Sequence, residues 1–340
     1  MRFARRPVEL PELVEAIEAQ LETSVSLPTS PHFTNSGFFL CIIIRMPANI
    51  NTQVLMSSAQ YFDDGQAINP FMDKEVAVDR QKAQAEHELI EKALRDSGVE
   101  VIKVPAPKDC QDGVYTANWA LVRGDTAVMS TLPNARKDEE PYAEQVLRDL
   151  GKKTVKVADG IHFSGQGDAL PCGDFLFIGT GYRTEKAAHD FIASTLGYQV
   201  ISLQTIPKRN WFGRPAINKD SGWPDSFFYD IDLALSVLRG PSEGQKGLIA
   251  WCPDAFLPES RQRLQVFDGV DKIEVSFKEA KEAFACNLVS TSEAVVMSAE
   301  APEFTSALQQ RGFSVITPQI SELAKGGGYI RCTTLTLNNT

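Results

Sequence analysis

Residues 89–104 read Leu89-Ile90-Glu91-Lys92-Ala93-Leu94-Arg95-Asp96-Ser97-Gly98-Val99-Glu100-Val101-Ile102-Lys103-Val104. The apolar period changes at Gly98. Before it, Ala85, Leu89, Ile90, Ala93 and Leu94 recur at helical spacing, so a helix is expected over 78–97 with Gly98 as its C-terminal cap. After it, apolar and polar residues alternate as in a half-buried strand. A second apolar stretch follows at 114–122. The same helix, glycine, strand, loop, strand order returns along the chain. A helix at 140–150 and Gly151 precede a strand at 154–157, then apolar stretches at 167–170 and 175–178. A helix at 185–196 and Gly197 precede strands at 200–203 and 230–238. Strands follow at 272–275 and 284–289, and a helix at 303–311 with Gly312 leads to a strand at 313–316 and a last one carrying Cys332. Units that each hide one apolar face must pack on their neighbours. The expected fold class is therefore α/β: five pseudo-symmetric ββαβ units arranged radially as a closed five-bladed α/β propeller. Strand ends from every unit converge on its central channel. The third unit carries a polar, aromatic insertion at 208–225, long enough to cover a site.

The bulk numbers narrow the function. A net charge of −10 over 340 residues argues against a nucleic-acid partner, which requires a basic footprint. The apolar run 38–44 is too short to span a bilayer, so no membrane association is expected. The six cysteines are scattered without a C-x-x-C pair, which suits reduced thiols in a cytoplasmic protein, and no two of the four histidines are spaced as a metal pair. No cofactor and no metal are expected. Glycines 326–328 lack the Lys-Ser/Thr of a phosphate-binding loop. Residues 1–45 read as a poorly ordered N-terminal extension, and 46–340 as a single catalytic propeller domain.

Lys325-Gly326-Gly327-Gly328-Tyr329-Ile330-Arg331-Cys332-Thr333 delivers one thiol after a glycine run. Such a run permits positive φ and close backbone approach, which suits a nucleophile held at a pocket floor; the alternative is a buried structural thiol.

Several stretches taken in order resemble the guanidino-group modifying enzymes of the pentein fold, which include dimethylargininases, arginine deiminases and amidinotransferases. They are Gln111-Asp112-Gly113-Val114-Tyr115-Thr116-Ala117-Asn118, Leu132-Pro133-Asn134-Ala135-Arg136-Lys137-Asp138-Glu139-Glu140, Phe163-Ser164-Gly165-Gln166-Gly167-Asp168-Ala169-Leu170, Phe228-Tyr229-Asp230-Ile231-Asp232, Phe284-Ala285-Cys286-Asn287 and the Cys332 segment. The resemblance covers about residues 53–338 and is nearest to bacterial dimethylargininase-like homologues.

The resemblance implies a cysteine-dependent hydrolase acting on a guanidino compound, with dimethylarginine or arginine as the model substrate, through a covalent Cys332 adduct. Attack on the central carbon of a resonance-stabilised guanidinium suits a thiolate, and carboxylates match its N–H fork. Cys332, Asp230, Asp232 and Asp168 are the candidate catalytic residues. Asp112, Asn118, Ser164, Gln166 and His162 are the candidate substrate-binding residues. Two positions depart from the family pattern. Asp230 stands where the family has its histidine, and Ser164 where it has a glutamate. Read as strand neighbours, Asp230 and Asp232 face one way, so one of them is expected to hold a proton and act as the acid. His162, two residues before Ser164, is the other candidate for the missing imidazole. These departures keep an amidinotransferase, and a retuned or inactive ligand-binding homologue, open as alternatives. The expected partner is a small guanidino or ureido molecule, and a homodimer is left open.

Overall fold

The computed structural model describes residues 49–339, and the expected extension at 1–45 lies outside them. The described chain forms five three-stranded sheets of one design. The second sheet shows it. β3 (Ala120–Arg123) and β4 (Thr126–Met129) form an antiparallel hairpin, helix α2 (Glu139–Asp149) crosses over, and β5 (Lys153–Lys156) returns parallel to β4. The third repeats it with β6 (Ala169–Cys172), β7 (Phe175–Gly179), α3 (Lys186–Leu196) and β8 (Gln199–Leu203). The fourth uses β9 (Leu235–Arg239), β10 (Gly247–Trp251), α4 (Pro258–Val266) and β11 (Val270–Glu274). Helix α5 (Phe277–Glu282) then leads to the fifth, built from β12 (Val289–Ser290), β13 (Ala294–Val296), α6 (Pro302–Gln309) and β14 (Ser314–Ile316).

The first sheet is made from both ends of the described chain. β1 (Gln53–Ser57) pairs in parallel with β2 (Glu100–Val104), which follows α1 (Arg80–Asp96). Its antiparallel neighbour is β15 (Leu335–Thr336), with Val54 opposite Thr336 and Leu55 opposite Leu335. The ring is thus a five-bladed α/β propeller of ββαβ units, the pentein fold. The helix-to-strand repeat read from the sequence straddles two sheets, because the hairpin strand after each loop belongs to the next blade.

Three sequence expectations need correction. Of 284–289 only Val289 lies in a strand, and the stretches at 114–122 and 230–238 are not strands throughout. Each opens with a 3-10 turn (Thr116–Trp119 and Ile231–Leu233), as does the third blade at Gly165–Gly167. Cys332 likewise sits in a turn ahead of β15, not on a strand. A short alternation of apolar and polar residues serves one tight turn as well as a pleat. The face of α1 is also shifted. Leu89 is exposed, while Glu86 and His87 are buried beside Ala83, Ile90 and Leu94. Glu86 is buried because it caps a neighbour. Its carboxylate accepts the backbone N–H groups of Ser321, Glu322 and Leu323 at the start of α7 (Glu322–Lys325), where an acid offsets the orphan donors. That cap fixes the segment that runs on into the glycines before Cys332.

Among the described residues no helix is long and apolar enough to cross a membrane.

Candidate active site

The turns ahead of the first strand of each blade point polar side chains at one another. Cys332 lies in the turn before β15 and is 2% exposed. Its Sγ accepts from Asn287 Nδ2 at 3.1 Å and donates to Asp232 Oδ2 at 3.4 Å. Asn287 also fixes the turn itself. Its Oδ1 accepts the backbone N–H groups of Tyr329 and Cys332, both at 3.1 Å. The chain reaches that position through Phe284 at φ 52°, a left-handed conformation unusual for a bulky residue. Asn287 belonged to a stretch quoted from the sequence, but its role was not legible there. The strained Phe284 is the local sign of it, and a sequence does not display φ.

Asp230 is fully buried and held from three sides. Ser164 Oγ donates to its Oδ1 at 2.8 Å, Asn118 Nδ2 donates to its Oδ2 at 2.8 Å, and the Arg183 guanidinium lies 3.7 Å from Oδ2. Arg183, missed by the sequence reading, stacks on Tyr229 with its guanidinium carbon 3.9 Å from the ring centre. Gly167 closes against this group: a Cβ there would stand 2.5 Å from Asn118 Nδ2 and 3.0 Å from Asp230 Oδ2. Ser164 and Asp230, the two departures, are therefore bonded to each other.

Asp112 sits just ahead of the 3-10 turn of the second blade. Its Oδ2 accepts from Gln111 Nε2, and its Oδ1, like Asp232 Oδ1, is buried with no donor among the described residues. Burial pushes the Asp112 carboxyl up to about 6. Burial and the adjacent Asp230 hold the Asp232 carboxyl well above the usual carboxylate range. Burial, then Asp232 and Asp230, push the Cys332 thiol well above its ordinary value. The acids and the thiol so close together disfavour ionisation of both Cys332 and Asp232.

The remaining candidates are placed as follows. Asp168 Oδ1 accepts the Ile231 N–H at 2.9 Å, at the start of the turn bearing Asp232, and packs so closely on Gly179 that a Cβ there would lie 1.9 Å away. It joins the third and fourth blades. Gln166 Oε1 accepts the Thr336 N–H at 2.8 Å, which ties β15 to the third blade. The His162 ring is 4.3 Å from that of Trp223 and stacks on it, and Trp223 belongs to the 208–225 insertion. The insertion folds over the β1–α1 loop. Asn218 Nδ2 donates to the Ala67 carbonyl at 3.0 Å, Asp220 Oδ2 accepts the Ala67 N–H at 3.1 Å, and Lys74 pairs with Asp220 at 2.8 Å. Among the described residues no cluster of three or more His, Cys, Asp or Glu side chains is arranged to hold a metal ion.

The family model for eukaryotic N,N-dimethylarginine dimethylhydrolase matches residues 56–212. The N(G),N(G)-dimethylarginine dimethylaminohydrolase of Mycobacterium tuberculosis is 32% identical over 286 residues, covering 83% of this chain and 85% of that protein. The bifunctional arginine dihydrolase/ornithine cyclodeaminase ArgZ of Synechocystis is 27% identical over 287 residues, 83% of this chain but only 37% of that longer protein. The solved N-terminal domain of cyanobacterial ArgZ, in a cysteine-to-serine mutant bound to substrate, superposes with a TM-score of 0.74 at 26% identity and covers 84% of this chain and 98% of that one.

Proposed function

The chain belongs to the dimethylarginine dimethylaminohydrolase family, and on that premise we propose that it hydrolyses a C–N bond of an arginine-like guanidino compound through a covalent adduct on Cys332. One observation carries the reading: two buried carboxylate oxygens, Asp112 Oδ1 and Asp232 Oδ1, accept no hydrogen bond among the described residues, and the second belongs to the acid 3.4 Å from the thiol. A buried carboxylate without donors is costly, and a planar cation carrying N–H groups supplies both the charge and the donors. Arg183, exposed to the same cluster through Asp230, is suited to hold a carboxylate at the far end of the substrate.

The chemistry follows from the charges. The guanidinium brings the positive charge that the site lacks and so favours ionisation of Cys332. With the cation in place Asp232 first releases its own proton to solvent, and as a carboxylate it then takes the thiol proton as the hydrogen-bond acceptor of Cys332. The thiolate attacks the guanidinium carbon to form a C–S bond. The tetrahedral adduct then collapses by breaking a C–N bond, and Asp232 returns the proton to the departing amine. The adduct left on sulfur is a thiouronium-type species. Water adds to its carbon while Asp232, ionised after protonating the amine, takes one of its protons; the C–S bond then breaks, the second water proton returns to sulfur, and a ureido product leaves with the thiol restored. Asp232 is thus assigned the proton, where the sequence reading allowed either Asp230 or Asp232. Asp230 is assigned the orientation of Asn118, Ser164 and Arg183, and Asp168 the placement of the Asp232 turn.

Labelling tests this reading. Chloroacetamidine, a cationic electrophile, is expected to modify Cys332 and to be blocked by L-arginine or a methylated arginine, with the modified peptide identified by mass spectrometry. Labelling spread evenly over the cysteines, with no protection, would sink the proposal. Asp230→Asn is expected to lower kcat/KM by about 10²–10³-fold, because Arg183 loses its counter-ion and one of Ser164 and Asn118 faces an NH2 group in place of its acceptor. Turnover within about threefold of wild type would remove Asp230 from the machinery.

A pH dependence also follows. Asp112 ionises at about 6 rather than in the ordinary carboxylate range, because burial disfavours its charge. Below that pH it is neutral and stops attracting a cation. Affinity for the guanidinium, measured by calorimetry on Cys332→Ser, is expected to fall as pH drops through about 6. Asp112→Asn should flatten that dependence.

A further inference from the structure

We propose that the propeller carries a second ligand site, for a small aliphatic carboxylate, in the cavity lined by Arg331 and Ser236 at the opposite end of the inner strands from Cys332. The cavity measures about 130 Å³. Its lining residues follow the catalytic turns along the same strands: Leu170 and Pro171 in β6, Ser236 and Val237 in β9, and Leu288 next to β12. The cavity therefore lies beyond the active-site turns and shares its walls with them.

Two side chains in this cavity are polar, buried and incompletely bonded. Arg331 is 5% exposed. Its Nη1 donates to Thr336 Oγ1 at 2.9 Å and to Asn51 Oδ1 at 3.4 Å. Both partners are neutral, and Nε and Nη2 have no acceptor among the described residues. No carboxylate forms an ion pair or hydrogen bond with this buried guanidinium among the described residues, and Asp232 offsets its charge only through space. Ser236 Oγ is the second such group: it is buried, has no partner among the described residues, and lines the same cavity. Three of the four asparagines that line the cavity already use their amide nitrogen, and the fourth, Asn49, is exposed. Asn51 Nδ2 donates to the Ser290 carbonyl, Asn339 Nδ2 to the Val122 carbonyl, and Asn338 Nδ2 to Thr52 Oγ1. Acceptors are what the cavity lacks. The free Nε–Nη2 edge of a guanidinium matches the two oxygens of a carboxylate, and Ser236 can supply a third donor. Leu170, Pro171, Val237 and Leu288 offer an apolar wall to a short aliphatic tail, which a hydrated inorganic anion would not use.

The site is coupled to the reacting thiol by position. Arg331 immediately precedes Cys332, and its charge acts on Asp232 and Cys332. A bound carboxylate would neutralise that charge, so it is expected to slow alkylation of Cys332 at fixed pH.

The test uses the full chain and sodium butyrate as the probe, with sodium chloride at matched ionic strength as the control. Butyrate is expected to raise the unfolding temperature saturably, as a ligand of the native state does, and chloride is not. Ser236→Ala removes only an unbonded hydroxyl, so it should fold as well as the wild type. It is expected to weaken the butyrate response by about fivefold in apparent affinity. Arg331→Gln is expected to abolish the response. Equal responses to butyrate and chloride would overturn the proposal. So would an undiminished response in Ser236→Ala, which is the result expected if butyrate bound at Arg183 instead. The Ser236 variant decides the matter even if Arg331→Gln fails to fold.

Discussion

Cys332→Ala is expected to lower turnover of the guanidino substrate by about 10⁴-fold or more while leaving the unfolding midpoint nearly unchanged. The size follows from the role. Without sulfur there is no covalent adduct, and water alone must attack a resonance-stabilised cation in a site built to position a thiolate. The small effect on stability follows from the packing. Cys332 contributes one thiol with two side-chain bonds, whereas its backbone N–H, held by Asn287, and its carbonyl, which accepts the Ala117 N–H, both survive the change. The same geometry predicts how the wild-type thiol behaves. Burial and the neighbouring Asp232 and Asp230 raise its pKa, so below that value it stays protonated and reacts slowly with a neutral reagent such as iodoacetamide. Its alkylation rate should climb as pH rises. A cationic reagent supplies the missing charge and should react faster than iodoacetamide at neutral pH, relative to their rates with a free thiol. Steady-state rates, intact-protein mass and paired alkylation rates check these outcomes. Substantial turnover by Cys332→Ala would leave the covalent route without support.

Glu139→Ala is expected to destabilise the fold by about 3–5 kcal/mol, the cost of leaving a buried partner charge uncompensated. Glu139 is fully buried and Arg136 is 2% exposed. Arg136 donates to both carboxylate oxygens, through Nε at 2.8 Å and Nη2 at 2.7 Å, and Trp119 Nε1 donates to Oε2 at 3.1 Å. The rest of the guanidinium holds the second blade's turn. Nη1 donates to Asn118 Oδ1 at 2.9 Å, and Nη2 to the carbonyls of Asp112 and Tyr115 at 3.2 Å. Removing Glu139 therefore leaves one cation without its counter-ion and Trp119 without an acceptor, under a turn that carries Asp112 and Asn118. Urea unfolding should show the loss as a lower midpoint with an unchanged slope. A double change to two methionines should be milder than Glu139→Ala, because it removes both charges together. If Glu139→Ala shifted stability by less than about 1 kcal/mol, the pair would have to be rated as a surface pair is.

Helices ending in glycine were readable because a 3.6-residue period over ten or more residues has few competing explanations. The propeller followed from their repetition. The site was readable only as residue types. In the structure Cys332 bonds Asp232, Asn118 bonds Asp230, and Arg136 ties Asn118 to the Asp112 carbonyl, but all of them sit in turns, where two or three residues carry no diagnostic period. Asp230 and Asp232 share a site through a 3-10 turn and not through a pleat. Arg183 and Asn287 escaped because their importance lies in contacts across blades, with Tyr229 and Asp230 for one and with Cys332 for the other. Ser164 and Asp230 looked like two separate losses, and only their 2.8 Å bond joins them.

The pairing of β15 with β1 bears on how an active molecule is made. Translation delivers the acids of three blades long before it delivers Cys332, and the thiol is set only when the next few residues lock against a strand made some 280 positions earlier. A nascent chain therefore exposes an unfinished first blade but no assembled reaction centre. On the proposed mechanism, competence and completion of the ring arrive together, so partial products of synthesis would be chemically silent. A chain cut between Cys332 and Leu335 would keep every candidate catalytic residue and still lack the strand that puts the last of them in place.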